Sequence, residues 1–438
     1  MTAYWAAHVV LPSGPPGPAR FTVEDSTFVA VEPSVEPQPG DERLSGVVLP
    51  GFANAHSHAF HRVLRGRTHR DGGTFWTWRR QMYAVAAALD PERYLALAWA
   101  VFAEMVLAGY TVVGEFHYLH HAPGGRPYAD RNAMGAALVQ AATEAGIRLT
   151  MLDTCYLAGG LAAGGHEPLD PVQARFSDGD VEAWAGRVGE LRDGPTLRTG
   201  VAAHSVRAVP ESALAAVAAA AGDRPRHIHL SEQPDENTAT QAYNGCSPAE
   251  LLSRTGFLGP TATAVHATHL SDADVVLLGR SGTSCCICPT TERDLADGIG
   301  PARALSDAGS PLTLGSDSQA VVDPFEEIRG LEMHERLRTT CRGRFTPAEL
   351  LAAATRAGYD SLGWSGGGRI AVGAPADFVV VRSDSVRTIG AEPGQIALAA
   401  TAADIDRVVV AGQIVVTDGE HRMGPVAPLL RKALEGVA

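Results

Sequence analysis

Short apolar runs that end in polar residues recur along this chain, separated by longer Ala- and Leu-rich stretches. The runs are VVLPGFANAH, TVVGEFHY, RLTMLDTCY, LRTGVAAH, RPRHIHLSE, ATAVHATH, GTSCCICPT and PLTLGSDS, eight in all. Between them lie segments such as PERYLALAWAVFAEMVLAG, AMGAALVQAATEAG and PESALAAVAAAAG, which are apolar with helical period. Unbroken apolar runs of this length suit strands buried on both faces of a parallel sheet, and the helical stretches suit its crossovers. Eight βα units over residues 49–365 predict an α/β fold, a (β/α)8 TIM barrel carrying insertions. A doubly wound open sheet is the alternative, but no glycine-rich dinucleotide fingerprint follows the first run.

The flanks read differently. Residues 1–48 hold short β-rich pieces, YWAAHVVL and FTVEDSTFVAVEP, broken by Gly and Pro, too few to bury a core alone. Residues 366–438 supply matching pieces, ADFVVVRS and RVVVAGQIVVTDG. The two ends are expected to combine into one small β-domain formed by both termini.

Where the apolar runs stop, the same few polar residues return. The first run ends in His56 and His58, the second in Glu115, His117 and Tyr118, and the fourth in His204 with Arg207 beyond it. The fifth carries His227, His229 and Glu232, the sixth His266 and His269, and the eighth Asp317. A parallel barrel builds its site at the C-terminal strand ends. Three imidazoles and a carboxylate suit one borderline divalent cation with room for water. The expected set is His56, His58, His229 and Asp317. His227 competes with His229, since both face one way in an extended strand, but His229 is nearer the strand end. A divalent cation there lowers the pKa of bound water toward ~7 and makes hydroxide available at neutral pH. Asp317 suits the base, Glu232 the acid that supplies a leaving nitrogen, and His266 the group that orients hydroxide and stabilises developing charge.

Composition narrows the chemistry. At 45% hydrophobic and 19% charged, the chain suits a soluble globular enzyme. A net charge of -13 opposes binding to nucleic acid or to an anionic membrane face. Lys432 is the single lysine. It lies almost at the C-terminus, which excludes a barrel Schiff base, a P-loop, or a carbamylated lysine bridging two metals. The six cysteines, three of them crowded in GTSCCICPT, read as small buried hydrophobes of a reducing compartment. The N-terminus lacks a signal-peptide pattern, and no apolar stretch nears the ~20 residues of a membrane span. A cytoplasmic protein is expected.

With these residues in view, PGFANAHSH, HIHLSE, VHATH and LGSDS closely resemble the metal-dependent amidohydrolase superfamily, and GRIAVGAPADFVVV resembles its return into a small β-domain. HAFHRVLRGRTH, FWTWRRQMY, GEFHYLHH and AAHSVRAV resemble more narrowly the N-formimino-L-glutamate iminohydrolases, also called formimidoylglutamate deiminases. The resemblance implies hydrolysis of N-formimino-L-glutamate to N-formyl-L-glutamate and ammonia in histidine degradation. It implies one ion, usually zinc with iron as the alternative, held by His56, His58, His229 and Asp317. It implies Glu232, His266 and Asp317 as catalytic groups, and a homodimer. Substrate contacts carry over onto Arg79, Tyr118, His204 and Arg207, with Arg80 an alternative to Arg79. Two arginines fit a substrate with two carboxylates, since guanidinium binds them in planar, often bidentate contacts. One position departs: where the family often has glutamine, this chain has His61, which can still donate one hydrogen bond to substrate, with altered pH dependence. The competing readings are a related deaminase or chlorohydrolase acting on a purine, pyrimidine or triazine, and a non-catalytic barrel. His117, His120 and His121 are expected to pack or hydrogen-bond near the mouth rather than hold a second metal.

Overall fold

The computed structural model describes residues 1–69 and 73–437. All eight expected barrel strands form: β1 (Phe52–Ser57), β2 (Tyr110–His117), β3 (Arg148–Cys155), β4 (Leu197–Ala203), β5 (Arg226–Leu230), β6 (Ala262–His266), β7 (Ser284–Ile287) and β8 (Leu312–Leu314). They pair in parallel, each with the next. Between β1 and β8 the ring is closed by a single bridge, Ser57 with Asp317. Their faces are apolar on both sides because helices cover the outside while side chains fill the inside. Ala55, Val265, Cys286 and Cys288 form part of that inner filling, whereas Cys285 packs into the main core beneath the helices. All six cysteines are free thiols, and only Cys341 is exposed. Tyr359, Leu362 and Trp364 plug the lower end against Ala53 and Val112.

The expected first run, VVLPGFANAH, is divided. Val47 to Pro50 belong to the strand Glu42–Pro50 of a second sheet, and β1 starts only at Phe52. Pro50 and Gly51 make the break, and a Cβ at Gly51 would press into the Thr111 side chain at 2.2 Å. The second sheet runs Glu420–His421, Gln413–Thr417, Ile405–Val410, Phe378–Val381, Glu42–Pro50, Thr2–Val9, Gly17–Glu24, Thr27–Pro33, so both termini contribute to it. Tyr4, Phe21, Phe28 and Phe378 fill one of its faces with ring contacts. Beyond it, the helix Val426–Glu435 returns to pack on the barrel helix Pro91–Leu107. Among the described residues, no helix is long and apolar enough to cross a membrane.

Asp377 ties this sheet to the barrel. Its carboxylate accepts from Arg148 Nε at 2.7 Å and Nη2 at 3.2 Å, from the Tyr359 hydroxyl at 2.8 Å and from the Ala411 N–H at 2.6 Å. The pair is buried, so removing one charge leaves the other uncompensated. Asp377→Asn should lower unfolding free energy by about 3–5 kcal/mol in urea titrations. A loss below about 1 kcal/mol would show that the sheet is held chiefly by its apolar contacts.

Candidate metal centre

Four donor groups converge at the top of the barrel. His229 Nε2 lies 3.1 Å from His56 Nε2 and 3.4 Å from His58 Nε2, and Asp317 Oδ1 lies 3.4 Å from each of the latter two. All four donor atoms fall within 4.8 Å of one another and all four residues are buried. The ladder between β1 and β2 shifts register between Asn54 and Ser57, a bulge that re-aims the end of the strand. His58 Nδ1 donates to the Phe116 carbonyl at 3.0 Å and His229 Nδ1 to the His204 carbonyl at 2.9 Å. Those bonds leave both Nε2 lone pairs facing the cluster. Burial holds all three imidazoles below their ordinary pKa, so they are neutral and able to ligate. The Asp317 carboxyl is penalised by burial, yet His56, His266 and His58 outweigh this and hold it well below the usual carboxylate range. Neutral imidazoles around an ionised carboxylate fit one divalent cation.

The two expected acid–base partners stand beside this set. His266 Nε2 is 3.7 Å from Asp317 Oδ2 and 3.9 Å from Glu232 Oε1, while its Nδ1 faces Glu292 Oε1 at 3.4 Å. Burial opposes charge on His266, but Glu232, Glu292 and Asp317 overcome it and raise its pKa well above the ordinary value. Burial pushes the Glu232 carboxyl upward against the pull of His266 and Arg207. Ser231, His266 and Asp317 all have left-handed backbones, with φ of 50°, 69° and 42°. Such residues cost about 1–3 kcal/mol each, and here they end three strands at the mouth.

A cavity of about 320 Å³ opens over the centre, and the residues expected to contact substrate all line it: His61, Arg79, Tyr118, His204 and Arg207. Arg79, on the helix Phe75–Ala88, donates Nε to the Tyr83 hydroxyl at 2.7 Å and Nη2 to the Gly159 carbonyl at 3.3 Å. Arg80 is exposed and absent from the lining. Arg207 donates Nε to Glu236 at 2.8 Å, and its Nη2 is 3.8 Å from Glu232 Oε2. His61 shares a 2.9 Å hydrogen bond with the Tyr118 hydroxyl, and burial lowers its pKa to about 3. Burial thus favours the neutral ring, which can still exchange a hydrogen bond with the Tyr118 hydroxyl.

His227 sits deeper, its Nε2 donating to the Ser361 carbonyl at 3.2 Å. The other histidine cluster, His117 at the end of β2 with His120 and His121 beyond it, does not line the cavity. His120 Nε2 donates to the Thr154 carbonyl at 2.9 Å, and Arg187 occupies Asp153 at 2.7 and 2.9 Å. His121 pairs with Asp178 at 3.1 Å, which Arg187 also binds. A guanidinium already supplies the cation there.

Sequence reading missed the supporting residues. Glu292 backs His266, Glu236 backs Arg207, and Tyr83, Tyr156 and Gln173 form a hydrogen-bonded group beside Arg79. Glu115 was visible as a strand-end carboxylate, and it faces Ser57 and the Ala59 N–H, away from the ion site. Burial pushes its carboxyl up to about 8.

The sequence model of the amidohydrolase family matches residues 47–415. Formimidoylglutamate deiminase of Pseudomonas aeruginosa is 37% identical over 440 residues, covering 96% of each chain. 8-Oxoguanine deaminase of the same species is 33% identical over 380 residues, 85% of this chain and 83% of the other. An adenosine deaminase from Xanthomonas campestris, solved with bound zinc, superimposes with a TM-score of 0.83 at 26% identity, covering 99% of this chain and 97% of its own. Family match, whole-length likeness and a His/Asp metal-binding cluster together make this chain a member of the amidohydrolase family, a hydrolase of C–N bonds.

Proposed function

We propose that this enzyme hydrolyses N-formimino-L-glutamate to N-formyl-L-glutamate and ammonia, using one zinc ion held by His56, His58, His229 and Asp317. The observation that carries the reading is that Arg79 and Arg207 line the same small cavity as this centre. A substrate with two carboxylates and an amidine carbon needs both kinds of group within one molecule's length. Arg207 commits Nε to Glu236 and faces Glu232 with Nη2 only at 3.8 Å, beyond hydrogen-bond distance, so its terminal nitrogens can turn to a substrate carboxylate in the cavity. The likeness to formimidoylglutamate deiminase supports the same choice, and the zinc of the Xanthomonas relative supports the metal.

In the reaction, the amidine carbon gains the oxygen of water, its bond to one nitrogen breaks, and both hydrogens of the water end on that nitrogen as ammonia. A bound divalent cation supplies Lewis acidity that makes water reactive at neutral pH. Asp317, held ionised, takes a proton from water. Glu232, with its raised pKa, carries a proton to the departing nitrogen. His266, held cationic between Glu232, Glu292 and Asp317, stabilises negative charge on the entering oxygen. His61, Tyr118 and His204 orient the substrate from the wall next to the centre.

A second reading has its own support. Trp78, Tyr83, Tyr118, Tyr156 and Phe176 also line the cavity, and 8-oxoguanine deaminase is 33% identical. Such a wall would stack on a purine ring.

Ammonia release from a panel of N-formimino-L-glutamate, 8-oxoguanine, guanine and adenosine, with metal content measured, separates the two. Turnover of a purine without turnover of N-formimino-L-glutamate would overturn the first. In Glu232→Gln the ion should stay bound while kcat drops about 10²–10⁴-fold; parallel loss of metal would mean that Glu232 is structural. Arg207→Met should raise KM for N-formimino-L-glutamate by about tenfold or more at unchanged metal content, and an unaltered KM would remove Arg207 from carboxylate binding.

A further inference from the structure

Three of the four donors come from the two edges of the sheet that close the barrel: His56 from β1, His58 from just beyond it, and Asp317 from just beyond β8. At this seam the backbone contributes little. The His58 N–H donates to the Asp317 carbonyl at 3.1 Å and the Asp317 N–H to the His56 carbonyl at 3.0 Å. β8 itself has only 3 residues. Buried side chains complete the closure. Gln319 Nε2 donates to Ser57 Oγ at 2.9 Å and to the Asp317 carbonyl at 2.9 Å. Ser57 Oγ donates to Glu115 Oε2 at 2.6 Å, and Glu115 Oε1 accepts from the Ala59 N–H at 2.6 Å. On the other arm, Asn54 Nδ2 donates to Ser316 Oγ at 2.6 Å, which donates to Gln319 Oε1 at 2.8 Å.

Each hydroxyl has one proton to give, so with Glu115 ionised the chain runs from Asn54 through Ser316 to Gln319, and from Gln319 through Ser57 to Glu115. Asn54, Ser57, Glu115, Ser316 and Gln319 are all fully buried, at 0% exposure, so no water competes for these bonds. Ser57 lies between the two histidines in sequence and pairs directly with Glu115 across the β1–β2 ladder. Glu115 therefore grips the ligand-bearing segment from behind, at Ser57 and again just after His58.

We propose that Glu115, Ser57 and Gln319 are positioning residues that set the affinity of the centre for a divalent cation, by fixing His56 and His58 against Asp317 across the barrel seam. The proposal rests on this centre binding a cation and is independent of which substrate is turned over. None of the three touches the ion site itself. Their effect is on preorganisation, since donors already spaced for the ion lose less freedom on binding it.

The test measures the Zn²⁺ dissociation constant of the full-length protein by competition with a chromophoric chelator, alongside thermal unfolding of the metal-free protein. Glu115→Gln keeps the volume but leaves a single acceptor for two donors. Ser57→Ala cuts the chain between Gln319 and Glu115 with little change in volume. Glu327→Gln is the control. Glu327 is an equally buried carboxylate, hydrogen-bonded to the Thr290 N–H at 3.0 Å and to its hydroxyl at 2.5 Å, and it supports no donor of the centre. Glu115→Gln and Ser57→Ala should each weaken Zn²⁺ binding about 10–100-fold, while Glu327→Gln lowers the melting temperature without weakening it. Should Glu115→Gln fail to fold, Ser57→Ala decides alone. Dissociation constants within twofold of wild type in the folded variants, or an equal loss in Glu327→Gln, would overturn the proposal. A wild-type protein that takes up no Zn²⁺ would instead overturn the reading of the centre.

Discussion

A sheet that closes on itself must join its first strand to its last, and in this protein that join is where the donor groups meet. Every other pair of neighbouring barrel strands has a ladder of several residues, whereas β1 and β8 share one bridge, Ser57 with Asp317. The closure is thus not a by-product of folding beside which a site happens to sit. It brings His56 and His58 to Asp317, and the remaining donor, His229, arrives from the opposite side of the ring. Around this point the backbone gives up regular geometry: a register shift in β1 and left-handed residues at Ser231, His266, Asp317 and Gln319. The strain is held in place by buried hydrogen bonds and close packing.

The second organising feature is a division of charge. Deeply buried imidazoles are kept neutral, while His266, ringed by three carboxylates, is kept cationic. Guanidinium groups in the cavity wall are each anchored by a fixed partner, Arg207 by Glu236 and Arg79 by the Tyr83 hydroxyl and the Gly159 carbonyl. A chain of net charge -13 therefore still places two guanidinium groups in the wall beside its ion site, among the carboxylates of Glu167, Glu232 and Asp235.

The barrel was legible because its strands are buried on both faces and so read as unbroken apolar runs, and because strand ends concentrate the polar residues. The pairs His56–His58 and Glu232–His229 were visible since their partners are local in sequence. What escaped was non-local or masked by continuity. VVLPGFANAH reads as one strand because Pro50 and Gly51 interrupt two apolar runs that belong to different sheets. Glu292 behind His266 and Gln319 behind Ser57 come from different strand ends than the residues they support, so no spacing rule points to them. The placement of His117, His120 and His121 depends on Arg187, which no local pattern ties to that segment.

The order of strands in the terminal sheet has a consequence for synthesis. Glu42–Pro50 pairs with Thr2–Val9 on one side and with Phe378–Val381 on the other, so its second edge has no partner until Phe378–Val381 has been made. Throughout elongation the sequence GVVLP offers a bare, apolar strand edge of the kind that invites pairing with another nascent chain. The ladder that finally covers it joins Val47–Pro50 to Phe378–Val381, and Arg148 pairs with Asp377 across 229 residues. The strand Glu42–Pro50 is thus fully paired only once Phe378–Val381 has been made.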